Sequence, residues 1–118
     1  GLYCIPKRKY FNNRSIMILT DKAKEDFKEW VFENYYFQDL NVLYPLHLID
    51  TLIIEFFDEQ KIIILIDFIG GDFCYTIKDY LTSKSECKKY YGLNYKSRQE
   101  VGTQAIKKAN EIYNERFK

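Results

Sequence analysis

Few side chains in this 118-residue chain are equipped for chemistry. His47 is the single histidine, so a Cys–His or Ser–His nucleophilic pair would have to use it. It stands between Leu46 and Leu48 with no motif around it, and reads as a structural or surface histidine. Cys4, Cys74 and Cys87 are odd in number and lack C-x-x-C spacing. A disulfide framework or zinc site is not expected from them, and free thiols are. Cys74 alternates within a strand-like run and reads as a small buried hydrophobe. Cys87 lies near Lys84, Lys88 and Lys89, a setting that favours thiol reactivity without implying an enzyme. The carboxylates Asp58-Glu59 and Asp67…Asp72 offer oxygen ligands, but no calcium-loop spacing surrounds them. Asp67 interrupts an apolar run and would need a partner if buried. Gly70-Gly71 belongs to neither a phosphate loop nor a dinucleotide fingerprint. No catalytic residue, metal ligand or cofactor is assigned, and the expectation is a protein that is not an enzyme.

Binding chemistry is better represented. The 11 Tyr, 9 Phe and one Trp are the side chains that interfaces favour. Formal net charge is only +1, but it is unevenly spread. Residues 1–16 carry four basic and no acidic groups, residues 17–83 are net −8, and residues 84–118 are net +5. Such asymmetry guides a partner or pairs internally. Lys84, Lys88, Lys89, Lys96 and Arg98 gather in one stretch, the place where a nucleic-acid backbone would be gripped.

The elements that must position these groups follow from pattern. Thr20 is placed to cap a helix with its hydroxyl. Ala23, Phe27, Trp30, Val31 and Tyr35 recur at helical spacing, which predicts a helix over 21–36. An irregular apolar connector with Tyr44 and Pro45 runs to Leu48. Asp50–Asp58, Lys61–Ile69 and Phe73–Lys78, rich in Ile and Phe, read as three antiparallel strands with Lys61–Ile69 in the centre. Gly70-Gly71 supplies a tight hairpin. Residues 79–96 read as a polar loop. Ser97 and Glu100 form a capping box before a last helix lined by Val101, Ala105, Ile106, Ala109, Ile112, Tyr113 and Phe117. The expected fold is α+β in the order α-β-β-β-α, a three-stranded antiparallel meander with two helices packed against it.

Both faces of Lys61–Ile69 are apolar, Ile62/Ile64/Ile66/Phe68 on one and Ile63/Leu65/Asp67/Ile69 on the other. A sheet with one wet face should alternate, so something is expected to cover the second face: the connector, the N-terminal segment or another copy. The interface candidates are Tyr44, Ile63, Leu65, Ile69, Tyr90 and Tyr91. Residues 1–16 are basic and aromatic and precede the single methionine, Met17. They are expected to be an extension outside the native protein, and 17–118 a single domain. No apolar run approaches the ~20 residues of a membrane span, so the protein is expected in the cytoplasm.

Two resemblances bear on function. The segment Lys96-Ser97-Arg98-Gln99-Glu100-Val101 through Ala105 and Ala109, together with the order α-β-β-β-α, is similar to the double-stranded-RNA-binding domain. That resemblance implies phosphate contacts from the start of the last helix. Gln99 and Gly102 stand where further lysines are expected, and the family's Gly-Pro-x-His loop is absent. The opening Leu19-Thr20-Asp21-Lys22-Ala23-Lys24-Glu25-Asp26-Phe27 and the closing Ser97-Arg98-Gln99-Glu100…Ala105-Ile106-Lys107-Lys108-Ala109-Asn110-Glu111-Ile112-Tyr113-Asn114 resemble small proteins of Bacteroides genomes and their phages or prophages. Val101 departs from the alanine usual in that group. The resemblance implies a genetic setting and a start at Met17, and no activity. The resulting expectation is a binding or assembly protein acting through a protein partner or a homodimer. The alternative is a nucleic-acid-binding module that uses residues 84–98.

Overall fold

The computed structural model describes residues 18–35, 46–80 and 87–118, with side chains from residue 49 onward in the second segment. Helix α1 spans Asp21–Tyr35 and α2 spans Leu46–Glu59. Strands β1 (Ile62–Ile69), β2 (Asp72–Asp79) and β3 (Lys88–Tyr95) follow, then helix α3 (Arg98–Glu115). The fold is α+β, with a three-stranded antiparallel sheet in the order β1-β2-β3 and helices packed against it.

The sheet is a meander as expected, but its strands are not the expected three. Asp50–Asp58 is helix, inside α2. Ile49, Leu52, Ile53, Phe56 and Phe57 are its buried side chains. Their spacing of i, i+3, i+4, i+7, i+8 is the stripe of an amphipathic helix. The Ile and Phe content that favours a strand lost to that periodicity. The third strand lies in the stretch expected to be loop. In β3, Tyr90 and Gly92 face the helices while Tyr91 and Leu93 face away. The centre of the sheet is therefore β2, and Lys61–Ile69 supplies an edge. The chain has three helices where two were expected.

The turn at Gly70-Gly71 is as expected. Both residues have positive φ, 65° and 91°, and Ile69 pairs with Asp72 to close a two-residue hairpin. Between β2 and β3 the register slips by one residue, with Asn94 at φ 67°, a bulge that an asparagine tolerates. Gly92 is required by a close approach: the Tyr75 ring lies where a Cβ would stand. Helix α2 ends on Lys61 at φ 65°, a left-handed position usually filled by glycine.

Helix α3 packs on all three strands, α2 packs on β1, and α1 packs chiefly on α2 and α3. The α1 stripe is as expected, with Ala23, Phe27, Trp30 and Val31 buried. Phe27, Trp30, Phe56, Phe57 and Tyr113 form an edge-to-face aromatic cluster, with ring centroids 5.6–5.8 Å apart at the Phe27–Phe56, Trp30–Phe56 and Phe56–Tyr113 contacts. Trp30 Nε1 donates to Glu59 Oε2 at 2.9 Å, so the indole is satisfied where α1 meets α2. On α3 the Ser97 hydroxyl accepts from the Glu100 amide, and the expected apolar face is buried except for Phe117, which is exposed.

The start of α1 is held from outside. The Thr20 hydroxyl accepts from the amides of Asn110 and Asn114, at 3.0 and 3.2 Å. Asn110 Oδ1 accepts from the Thr20 amide and Asn114 Oδ1 from the Ala23 amide, both at 2.9 Å. The expected cap by the Thr20 side chain is thus replaced by a tertiary cap from α3. One turn on, the Tyr113 hydroxyl donates to Asp26 Oδ2 at 2.6 Å, a short charge-assisted bond. The chain around Thr20–Asp26 and the stretch Asn110–Asn114 are therefore the two halves of one clamp.

Burial, and then the bond to Asp26, push the Tyr113 phenol well above its ordinary value of 10.0. A raised pKa in the folded state means the folded protein keeps the proton that the unfolded chain gives up. The stabilisation is complete below pH 10 and declines as pH rises beyond it. Chemical denaturation at pH 8 and at pH 11 is expected to show that decline. Tyr113→Phe should lose about 2 kcal/mol at pH 8 and have a shallower alkaline loss. A second expectation concerns the α2 terminus: Lys61→Gly should raise stability by up to about 1 kcal/mol in urea, because glycine enters the left-handed region without a Cβ clash.

Candidate functional site

Among the described residues, two places bring polar or exposed apolar groups from several elements together. One is an open groove of 530 Å³ beside α3, whose lining includes Thr20, Asp79, Lys88, Tyr90, Lys108 and Arg116. Most of its polar groups are already committed to the fold. Arg116, at the end of α3, donates to the Gln60 carbonyl at 2.7 Å and to Asp79 Oδ1 at 2.8 Å. Asp79 is buried, so this bridge ties the ends of α2, β2 and α3 together in a place of low dielectric. Lys88 and Lys108 both lie over the Tyr90 ring, at 5.6 and 5.0 Å. The groove is scaffold with two cations resting on a tyrosine.

The other place is the sheet face turned away from the helices. Strand alternation and register put Ile63, Leu65, Asp67 and Ile69 of β1 on it, with Cys74, Thr76 and Lys78 of β2 and Lys89, Tyr91 and Leu93 of β3. The opposite face carries Ile62, Ile64, Tyr75 and Ile77, all buried. On the open face Leu65 is 43% exposed, Tyr91 63%, Leu93 64% and Ile69 66%. These are four of the seven large apolar side chains exposed among the described residues, so the exposure is concentrated rather than scattered. Leu65, Thr76 and Tyr91 stand in register as one row across all three strands.

No protein-family model, curated protein or solved structure matches the chain.

Of the interface candidates, the fold gathers Ile63, Leu65, Ile69 and Tyr91 on the open face. It puts Tyr90 on the other side, against Lys88 and Lys108. Tyr44 lies outside the described residues. Leu93 was missed because its stretch was read as loop; the alternation Tyr90-Tyr91-Gly92-Leu93 was the available signal. The basic candidates are not brought together. Lys88 and Lys89 are neighbours on β3 and point to opposite faces. Lys96 pairs with Asp72 at 3.0 Å, and Arg98 lies over the Phe73 ring at 5.2 Å. Both are at the far end of β3, about 25 Å from Lys88 at strand spacing. Lys84 lies outside the described residues. The loop between the first two strands is Gly70-Gly71 rather than Asp58-Glu59-Gln60.

Asp67 is exposed on the open face, so the partner that burial would demand is not required. Cys74 and Cys87 are free and half-buried. Cys87 meets the Tyr80 phenol in a hydrogen bond, which pushes the titration of Tyr80 up. His47 falls in the first turn of α2, and its side chain lies outside the described atoms. Among the described residues no three His, Cys, Asp or Glu side chains are grouped to hold a metal ion. No helix among them is long and apolar enough to cross a membrane.

The Arg116 bridge provides a test of the groove's structural role. Arg116→Met should cost about 3 kcal/mol or more in urea unfolding, because Asp79 is left buried without its partner. Asp79→Asn in that background should recover part of the loss by removing the stranded charge. A loss under about 0.5 kcal/mol would show the bridge to be dispensable and leave the pair free for a ligand.

Proposed function

We propose that the chain is a non-catalytic binding or assembly protein that works through protein–protein contacts on the open face of its sheet. The observation that carries this reading is the exposed row Leu65–Thr76–Tyr91 with Leu93 and Ile69 beside it, opposite a face already filled by helices. Water-exposed apolar area that spans three strands costs solubility without adding to the core, and a partner would remove that cost. Tyr91 is the kind of residue that anchors an interface, since it buries a large ring and keeps a polar tip. A cytoplasmic protein encoded by a phage or mobile element is the setting proposed with it. Nucleic-acid binding is less well supported, because Lys88, Lys89, Lys96 and Arg98 share no surface.

A photo-crosslinking residue placed at Tyr91, and separately at Glu29 on α1 as a control, tests this in cells that make the protein. Protein adducts are expected from position 91 and not from position 29. Adducts equally abundant from both positions, or none from 91, would overturn the reading.

A further inference from the structure

We infer that a second copy of this chain packs face to face on the open sheet, about a twofold axis that runs along the Leu65–Thr76–Tyr91 row. This rests on the reading of the open face as an interface and names its occupant. The charges on that face are arranged to pair with their own copy. Lys78 and Lys89 stand in register with each other one row to one side of Leu65–Thr76–Tyr91, and Asp67 stands one row to the other side. None of the three has an ion-pair partner among the described residues. Lys78 is opposite Ile63, four residues before Asp67 on β1. Within one copy the two charges are therefore about 13 Å apart along the strands, too far to bridge.

Two face-to-face twofold arrangements keep the strands of the two copies in line, parallel in one and antiparallel in the other, and charge separates them. An axis parallel to the strands would lay Lys78 on Lys78 of the second copy, like charge on like. An axis along the Leu65–Thr76–Tyr91 row reverses the strand direction instead. Each Lys78 then stands one strand spacing, about 4.8 Å, from the second copy's Asp67, across a sheet separation of about 10 Å that a lysine spans. Lys89 lays its aliphatic stem over the second copy's Leu93 and keeps its ammonium in water. Leu65 and Tyr91 meet their own counterparts on the axis. The interface is self-complementary, as a twofold dimer requires.

The size of the face sets the strength. Three strands of eight residues give a footprint of roughly 370 Å² per copy at ordinary strand spacings. That is well under the ~800 Å² per partner of a standard stable interface. A weak, concentration-dependent dimer follows, with a Kd between about 10 and 300 μM.

Sedimentation equilibrium of the full chain from about 5 to 500 μM brackets that range. A monomer–dimer equilibrium is expected for the natural sequence. Asp67→Lys and Lys78→Glu, each alone, place like charges at both contacts of the dimer and should weaken it at least about tenfold. An equimolar mixture of the two variants sets opposite charges at both contacts again. One contact joins the natural Lys78 to the natural Asp67, and the other joins the two substituted side chains with their signs exchanged. Association should return to within about threefold of the natural dimer. Both sites are accessible to solvent, and unchanged melting temperatures are expected for the separate variants. A monomer at every concentration, a dimer indifferent to the reversals, or single losses without recovery in the mixture would each overturn the arrangement. A monomer that still gives adducts with another protein from position 91 overturns the second copy and leaves the open face with a foreign partner. A monomer with no adduct there removes both.

Discussion

Helix α3 has to be buried on two opposite sides at once, and the rest of the fold is arranged around that demand. Val101, Ala105 and Ile112 lie roughly opposite Asn110 on the helix, by its 100° turn per residue. The first three are buried on the side from which Lys108 reaches Tyr90 of β3, and Asn110, Tyr113 and Asn114 are bonded to α1. An ordinary surface helix buries one stripe and leaves the other wet. Here the second side carries two amides and a phenol beside the buried Ile106, and each polar group finds a partner in Thr20, Ala23 or Asp26. A polar group inside a fold costs stability unless it is bonded, so this side is tolerated only with α1 in place. That dependence ties the start of the domain to its end across some 90 residues of chain.

The same arrangement determines where a function is to be sought. Three helices are spent on one side: α3 and α2 on the sheet, and α1 on them. The reverse of the sheet keeps Leu65, Ile69, Tyr91 and Leu93 exposed. The groove by α3 is larger in polar groups but poorer in free ones. Arg116 is held by Asp79 and the Gln60 carbonyl, and the asparagines are held by α1. Residues that serve the fold in this way have little left for a ligand. The exposed apolar row has no such internal use, and for that reason it carries the functional reading.

Much of the layout was legible in the sequence, and the errors are instructive. The capping box at Ser97, the stripe of α1 and the Gly70-Gly71 hairpin were readable because each rests on local chemistry: a side-chain bond, a 3.6-residue period, two positive φ angles. The apolar second face of β1 was readable too, in Ile63, Leu65 and Ile69, whereas Tyr91 stood out only as a tyrosine of an expected loop. Helix α2 was misread because β-branched and aromatic residues suggest a strand. Its 49/52/53/56/57 spacing was the better signal. Strand β3 was misread because lysine, tyrosine, glycine and asparagine look like loop. It is a strand because β2 offers it a ladder, and Tyr75 fills the space above Gly92. The tertiary cap on Thr20 could not be read locally, since Asn110 and Asn114 lie 90 and 94 residues away.

A binding role for the second sheet face requires that face to be a surface and not part of the core. The measurement that tests it most directly is the unfolding free energy of Leu65→Ser and Leu93→Ser together, in urea at a protein concentration low enough to keep the chain monomeric. If the face is a surface, the double variant should unfold within about 1 kcal/mol of the natural protein. A loss of about 4 kcal/mol or more, the size expected when two core leucines are removed, would mean that the chain itself packs on this face and that the working surface lies elsewhere.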